Sequence, residues 1–418
     1  METKTLTPPS IPVVFENKTG MPDSKIWVQF LNGIFGAGQY GANGTVKLSG
    51  DTAYSFEQLK SKMPAFPALK TIPNVSLNDF TNGRIYFNYG DKGLQGLGNG
   101  YQPSPNNVND PNYKKQYAFV EPNFFGNQNN NMDLSAIDFF SIPIEASTWK
   151  HGKMVKKLNC KSGAAIGDTI EYLITLSHSK AAVYAHNSFV RVIGPGLAEG
   201  YHNWDAYLKY LSSLAKPTKI KGLFSGLPGG TGPTAQQTYN LSATFNANTK
   251  LVILTGTCAV EGAVTISIKF DALNALTGIY GANPPYTVTA GSKQPYTTAG
   301  IVNDVFGWIV GDLLAGLNMG FPGSTTINPI NNIALGQCTS SEWFQAAIQH
   351  PSLLFAGAQP ENSDYYNDWA ASLLPVTNAY GFPFSDRVGG LLLYFPPKGS
   401  AGAVDYLKIT LLDVEFPA

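Results

Sequence analysis

Two apolar segments that flank an asparagine-rich stretch predict a β-hairpin, and each segment carries one acid. The segments are residues 117–126 and 134–143, and the polar residues between them are typical of a turn. A symmetric register would centre the hairpin between positions 129 and 130 and place Glu121 opposite Asp138. Because opposite residues of neighbouring strands point to the same face, we expect the two carboxylates to share one surface.

Two like charges in this arrangement oppose folding, by up to about 1 kcal/mol relative to a neutral pair. The same register would place Phe119 against Phe140 and Tyr117 against Ile142, and these apolar neighbours would raise the carboxyl pKa values and separate them. A glycoside hydrolase needs one protonated and one ionised carboxyl group, the first to protonate the leaving oxygen and the second to act as base or nucleophile. The alternative is a solvated pair of surface acids.

Composition narrows the class of partner. A chain of 418 residues with 43% hydrophobic residues is long enough for two packed domains. Only 13% of the residues are charged, and 28 basic residues balance 28 acidic ones, so the chain lacks the positive charge that nucleic acid or an anionic membrane would attract. A neutral polysaccharide fits this composition better.

Other site classes find little support in the sequence. The cysteines Cys160, Cys258 and Cys338 are widely spaced, so they predict neither a zinc site nor a dense disulfide framework. Residues 301–321 are apolar but include two aspartates and two asparagines, which excludes a membrane span. Residues 1–10 lack the apolar core of a secretory signal.

The pattern of elements predicts a mainly β protein with an α+β insertion. Alternating apolar residues in the first third predict antiparallel strands, and residues 90–113 predict a long loop that either lines a binding surface or is disordered. Helical spacing predicts helices over residues 204–214 and 302–317, with strands between them. A third helix is expected at Thr339, where Thr339 and Glu342 form a capping-box pattern.

The last strands, near residues 391–395 and 407–411, are expected to return to the first domain. We therefore predict a β-barrel or β-sandwich domain over residues 1–158, completed by strands from 388–418. A mixed α/β domain would span residues 159–387, with a wide groove between the two domains that binds ligand.

Several motifs resemble, in order and spacing, those of glycoside hydrolase family 64, the β-1,3-glucanases with a thaumatin-like fold. The motifs occupy residues 97–106, 110–113, 119–123 and 137–143, with supporting similarity at residues 84–87, 191–195 and 380–386. The resemblance implies an endo-acting, inverting hydrolysis of β-1,3-glucan that releases short laminari-oligosaccharides, with Glu121 as general acid and Asp138 as general base. It also implies a secreted, extracellular monomer without metal or organic cofactor.

The chain departs from the family pattern in two places. Asn123 replaces a small hydroxyl residue two positions after the acid, and Ser385 stands where one of two adjacent acids is usual. The predicted register adds a tension, because inversion needs carboxyl groups roughly 6.5–9.5 Å apart and directly opposed residues lie nearer to about 5 Å. A bulge near Pro122 or in the turn would provide the extra distance.

Further residues are candidates for contact with sugar. Amide side chains near the hairpin turn can bond sugar hydroxyls, although an asparagine-rich turn also serves the hairpin itself. Trp369 offers a stacking face, but its spacing to Leu373 favours a helix core stripe. The expected substrate-binding residues are Asn123, Asn127, Asn129, Asn131, Tyr366, Trp369, Tyr380 and Asp386.

Two other functions remain open from the sequence. The first is a non-catalytic, thaumatin-like β-1,3-glucan-binding protein, which the departures at Asn123 and Ser385 favour. The second is a β-sandwich adhesin that recognises another glycan. Binding to insoluble β-1,3-glucan, measured together with reducing-sugar release, separates all three.

Overall fold

A computed structural model describes most of the chain, with gaps. The described residues are 10–31, 35–36, 47–48, 53–62, 68–70, 83–97, 101–123, 130–225, 237–259, 261–291, 296–298, 304–355, 365–396 and 400–416.

Strands dominate the described residues. In chain order they are β1 (Ser10–Lys18), β2 (Ile26–Leu31), β3 (Phe35–Gly36), β4 (Lys47–Leu48), β5 (Tyr54–Ser55), β6 (Ala68–Lys70), β7 (Arg84–Tyr89), β8 (Tyr117–Asn123), β9 (Asn131–Leu134), β10 (Phe139–Phe140), β11 (Ile144–Lys150), β12 (Lys153–Leu158), β13 (Ala182–Ala185), β14 (Ser188–Ile193), β15 (Thr218–Phe224), β16 (Gln237–Asn246), β17 (Leu251–Cys258), β18 (Gly262–Lys269), β19 (Tyr286–Ala290), β20 (Tyr296–Thr298), β21 (Ile327–Asn328), β22 (Ile333–Ala334), β23 (Leu393–Tyr394) and β24 (Tyr406–Leu412). The helices are α1 (Phe56–Lys62), α2 (Ala164–Leu176), α3 (Asp205–Ser212), α4 (Phe270–Asn274), α5 (Val305–Met319), α6 (Ser340–Gln349) and α7 (Asp368–Leu373).

Two sheets pack face to face and share one apolar core. Their strand orders are β12-β11-β24-β1-β6-β3-β4 and β23-β9-β8-β7-β2-β5. Alternate residues of each strand enter the core, as Val120 and Ile85 do from one sheet and Ile409 from the other. Neither sheet closes on itself within the described ranges, so the sandwich alternative holds and the closed barrel is wrong.

The C-terminal strand β24 lies in the middle of the first sheet. It pairs parallel with β1 and antiparallel with β11, so the last described strand binds to the first. A parallel neighbour needs a long connection, which the intervening 370–400 residues supply.

The opposite face of the second sheet carries aromatic rings and polar groups. Tyr86, Tyr117 and Phe119 form a cluster there with Leu94 and Phe139. The long loop after β7 folds over this cluster, and Asn112 fixes it by exchanging hydrogen bonds with the backbone of Gln95 at 2.8 and 2.9 Å. The described parts of this loop are therefore ordered, as a surface that lines a site requires.

The middle of the chain forms an α/β layer. Strands β15 to β20 make an antiparallel sheet in chain order, and α3, α5 and α6 pack on its apolar face. A third core lies between α2, α7 and the β13–β14 hairpin. The division of the chain at residues 158 and 387 stays a prediction.

The predicted helices form, with small shifts at their ends. In the first, Asn203 Oδ1 accepts the Asp205 N–H at 3.1 Å, and the helix is α3. The second begins at Val305 rather than 302, because the Asp304 carboxylate accepts the N–H groups of Phe306 and Gly307. The capping box of Thr339 and Glu342 opens α6. None of the helices in the described ranges is long and apolar enough to cross a membrane.

A buried ion pair ties the C-terminal part of the chain to α5. Arg387 Nε lies 2.8 Å from Asp312 Oδ1, and the guanidinium stacks on Trp308 at 3.7 Å from the ring centre. Tyr239 and Ser340 donate hydrogen bonds to the other carboxylate oxygen of Asp312. Burial raises the pKa of Asp312, and Arg387 opposes that rise.

We expect Arg387→Met to destabilise the protein by about 3 kcal/mol or more, because it leaves the buried Asp312 carboxylate without its cation. Denaturant unfolding measures the change. The matched control is Lys25→Met, which breaks an exposed pair with Asp91 and should leave the midpoint unchanged. Equal midpoints for both variants would contradict this prediction.

Candidate active site

Three ionisable side chains form a row across neighbouring strands of the second sheet. Glu121 on β8 lies directly opposite Asp133 on β9. On the other side, Arg84 lies one position beyond the Ile85–Val120 pair of β7 and β8, and its Nε donates to Glu121 Oε1 at 2.9 Å. Opposite residues share a face, so the row lies on the polar face of the sheet.

The predicted register of the hairpin is wrong. Strands β8 and β9 pair about residue 127, which makes Asp133 rather than Asp138 the partner of Glu121. The chain leaves the sheet at Ser135, which forms a bridge with Tyr380.

The apolar run that predicted one long strand is split. Its second half, β10, pairs with β14 in a different sheet, so the expected contacts of Phe140 and Ile142 with β8 do not form. Phe139 packs instead against Tyr117 and Phe119, at 5.1 and 5.7 Å between ring centres.

Arg84 holds Glu121 in place. Its Nη1 donates to Gln102 Oε1 at 2.7 Å, and its guanidinium lies over the Phe119 ring at 4.2 Å from the centre. These contacts fix the guanidinium on three sides. Because the donor is a cation, its hydrogen bond to Glu121 is of the stronger, charge-assisted kind, and it holds that carboxyl group in a defined position.

Asp138 is close enough to interact with the same arginine. Burial raises the pKa of Asp138, and the charge of Arg84 opposes that rise. Burial also raises the pKa of Tyr86, and the charges of Glu121 and Asp138 both add to it. Both predicted acids therefore lie close enough to Tyr86 to raise its pKa, although they do not face each other across neighbouring strands.

Asp133 is the residue that the sequence analysis missed. It is only 7% exposed, and within the described residues its buried Oδ1 accepts no hydrogen bond. Burial raises its pKa well above the usual range, the charges of Glu121 and Asp386 add to the rise, and Arg84 opposes it. The predicted register placed this acid in the turn, where a polar residue is usual and gives no sign of a functional role.

The asparagines next to the acids are only partly described. Asn123 Nδ2 donates to Asn131 Oδ1 at 3.1 Å, so this amide pair occupies the row next to Glu121 and Asp133. Asn127 and Asn129 lie outside the described residues.

Two C-terminal candidates reach the acid row. Tyr380 N–H donates to Leu134 O at 2.7 Å, which places it beside the end of β9. Burial raises the pKa of Tyr380, with the charges of Asp133 and Asp386 adding to the effect. Asp386 is exposed on the short turn Ser385–Val388 next to the buried Arg387.

Ser385 explains one departure from the family pattern. Its side chain is fully buried, donates to Phe382 O and accepts from Phe382 N–H at 3.2 Å. A carboxylate at this position would point into the turn instead of the site. Its absence removes nothing from the acid row.

Trp369 is a correction to the expected substrate-binding set. It is fully buried, donates its indole N–H to Ala136 O at 2.9 Å and packs against Tyr201. Its ring cannot stack on a sugar in this arrangement. Tyr366 is half-buried and packs near Phe355, with ring centres 6.1 Å apart, and no contact joins it to the acid row among the described residues.

A cavity of about 560 Å³ lies elsewhere on the molecule. It is lined by Tyr89, Tyr184, Phe189 and Phe416 among others, and it includes none of the acids of the row. Tyr89 ends the strand that Arg84 begins, which separates the cavity from the row by about 17 Å at 3.4 Å per residue. The candidate active site is therefore the face of the sheet.

Comparisons with known proteins find a family match over the first half of the chain. Residues 10–213 match the family model of glycoside hydrolase family 64, described as β-1,3-glucanase, and this segment includes Arg84, Glu121, Asp133 and Asp138. No curated protein matches the chain by sequence.

Solved structures share the fold. One is a laminaripentaose-producing β-1,3-glucanase in complex with laminaritetraose, with a TM-score of 0.56 and 14% identity over 98% of this chain and 99% of that chain. Another is a β-1,3-glucanase domain of family 64 from Clostridium beijerinckii, with a TM-score of 0.54 and 13% identity over 97% and 100% of the two chains. The likeness extends beyond residue 213 to the whole described fold.

We expect Arg84→Gln to raise the pKa values of Asp133 and Asp138, because the guanidinium opposes the effect of burial at both. Carbon-13 NMR titration of the aspartate carboxyl groups measures this. Lys408→Gln, which removes a cation paired with Glu16 in the other sheet at 2.7 Å, is the control and should shift neither. Titrations of both aspartates that are unchanged in Arg84→Gln would refute the role given to this arginine.

Proposed function

We propose that the chain is a glycoside hydrolase of the β-1,3-glucanase family 64, whose model matches residues 10–213, and that it uses an inverting mechanism with Glu121 and Asp138. The protein hydrolyses β-1,3-glucan at internal bonds and releases short laminari-oligosaccharides. Glu121 protonates the departing oxygen, and Asp138 removes a proton from the attacking water.

One observation carries the choice of these two acids. Glu121 and Asp138 both act on Arg84 and Tyr86, yet Asp138 lies off the ladder position opposite Glu121. An inverting pair needs roughly 6.5–9.5 Å to admit a water, whereas an opposed cross-strand residue lies at about 5 Å. Asp133 occupies that nearer position, which supports Asp138 as the base.

The surroundings suit a sugar polymer. The acid row stands on a sheet face beside the amide pair of Asn123 and Asn131. Amide groups can form hydrogen bonds with sugar hydroxyls. Tyr380 and Asp386 border the same row and are proposed to contact neighbouring sugar units.

The remaining expectations belong to the same proposal. The sandwich is assigned to the thaumatin-like superfamily, which two largely antiparallel sheets around one core support. The groove lies between this sandwich and the α/β layer. The protein is monomeric and acts outside the cell, where an insoluble polymer is found.

Glu121→Gln should reduce reducing-sugar release from laminarin by about 10²–10⁴-fold, because the amide cannot protonate the leaving oxygen. The thermal midpoint should stay within a few degrees of the wild type. The matched control is Glu145→Gln, a partly buried glutamate paired with Lys157 in the other sheet, which should keep its activity. Wild-type adsorption to curdlan without sugar release would favour the non-catalytic alternative.

Inversion also predicts the configuration of the first product. Attack by water on the face opposite a β-linked leaving group gives an α-anomer, which later equilibrates. Proton NMR of a fresh laminari-oligosaccharide digest should therefore detect the α-anomer before the β-anomer. A β-anomer that forms first would mean a retaining mechanism and would exclude the role proposed for Asp138.

A further inference from the structure

The contacts of Glu121 raise a question about its proton. A general acid must be protonated when the leaving oxygen departs. In the structure, Glu121 Oε1 accepts a hydrogen bond from Arg84 Nε at 2.9 Å, so this oxygen is already occupied by a donor. If Glu121 is the acid of the proposed function, a neighbouring group that holds a proton can supply it.

Asp133 is the neighbour best placed to hold it. It lies directly opposite Glu121, where Cβ atoms are about 4.5–5.5 Å apart. Its side chain is almost fully buried, and its inward Oδ1 accepts no hydrogen bond from the described residues. An ionised carboxylate without donors costs several kcal/mol in such a site, as a rough guide, whereas a protonated carboxyl group costs far less.

The other charges near Asp133 also favour its protonated form. From β8 comes the negative charge of Glu121, and from the turn after residue 384 comes that of Asp386, both of which disfavour a third negative charge. Tyr380, packed beside β9, stays neutral because burial raises its pKa, so it adds no charge next to Asp133. Arg84 on β7 is the opposing cation, but its hydrogen bond goes to Glu121.

We propose that Asp133 is a positioning residue that stores one proton beside Glu121 and passes it to that carboxylate for each cleavage. Before substrate binds, the proton resides on Asp133, because burial and the charges of Glu121 and Asp386 raise the pKa of that carboxyl group. The inference rests on the proposed function of Glu121 as the general acid.

The proton balance of one turnover is closed. Asp133 gives its proton to Glu121, and Glu121 gives it to the glycosidic oxygen as the bond to the anomeric carbon breaks. Water forms the new bond to that carbon and loses a proton to Asp138. Asp138 releases this proton to solvent, and one proton from solvent returns to the pair. The net change is the addition of one water to one glycosidic bond.

The test is the pH profile of kcat/KM for Asp133→Asn on laminarihexaose. The amide keeps the shape of the side chain but cannot store an acidic proton, so Glu121 loses the neighbour that supplies its proton. The alkaline limb should move down by about one pH unit or more, which lowers kcat/KM at pH 7 about tenfold relative to wild type. Near pH 4.5 the two enzymes should differ by less than about threefold.

A stability measurement separates this role from a structural one. A group with a raised pKa in the folded state stabilises the protein at low pH, and that contribution is lost as pH rises through the folded pKa. The thermal midpoint of Asp133→Asn at pH 7 should therefore equal or exceed that of wild type. Asp386→Asn, an exposed acid that also acts on Asp133, is the matched variant and should move the alkaline limb less.

Several outcomes overturn the inference. An unchanged alkaline limb would show that Asp133 supplies no proton, and an equal loss at every pH would make it a catalytic base or a structural residue. Carbon-13 NMR of the wild-type Asp133 carboxyl, which needs no variant, should find it still protonated above pH 5. Ionisation below that pH refutes the storage role. If Glu121→Gln retains activity, the proposed function itself fails, whatever Asp133→Asn does.

Discussion

The contact between Arg84 and Glu121 is the interaction on which the candidate site depends. The negative charges of Asp133, Asp138 and Asp386 lie close to Glu121. Without a cation among them, these carboxylates would repel one another. Arg84 supplies that cation on the strand next to Glu121. Its bond to Gln102 also fastens the loop after β7 to the sheet, so the shape of the site and its charge balance share one residue.

The sequence indicated two candidate acids but not the register in which their strands pair. A β-hairpin with Glu121 on its first strand could be predicted, because a hairpin depends on residues close in the chain. The register could not, because the apolar run after residue 134 is divided between two sheets. The division depends on the bridge of Ser135 with Tyr380 and the pairing of β10 with β14, which are contacts with distant residues. The sequence of a strand alone does not show which distant strands will pair with it.

The same distinction separates the helices from the aromatic candidates. The capping box of Thr339 acts within a few residues and predicted the start of α6, and the spacing of apolar residues predicted α3 and α5. Whether Trp369 faces sugar or a core depends on what covers helix α7, and in the structure Tyr201 and the backbone of Ala136 do so. The spacing to Leu373 favoured the core, which is where the ring lies.

Long-range contacts also bring the C-terminal part of the chain to the site. Asp386 stands beside the acid row because the adjacent Arg387 is held by Asp312 of α5 and by the Trp308 ring. The α/β layer therefore positions an acid for a site whose other members lie on the sandwich.

Protonation, rather than distance alone, then distinguishes the three acids nearest Arg84. Glu121 bonds directly to the guanidinium, Asp138 is half-buried and influenced by Arg84, and Asp133 is buried with two acids facing it. The three acids can thus serve as a proton donor, a base of raised pKa and a proton store. Because these roles depend on how close each acid lies to Arg84, moving that positive charge would change the roles of Glu121, Asp133 and Asp138.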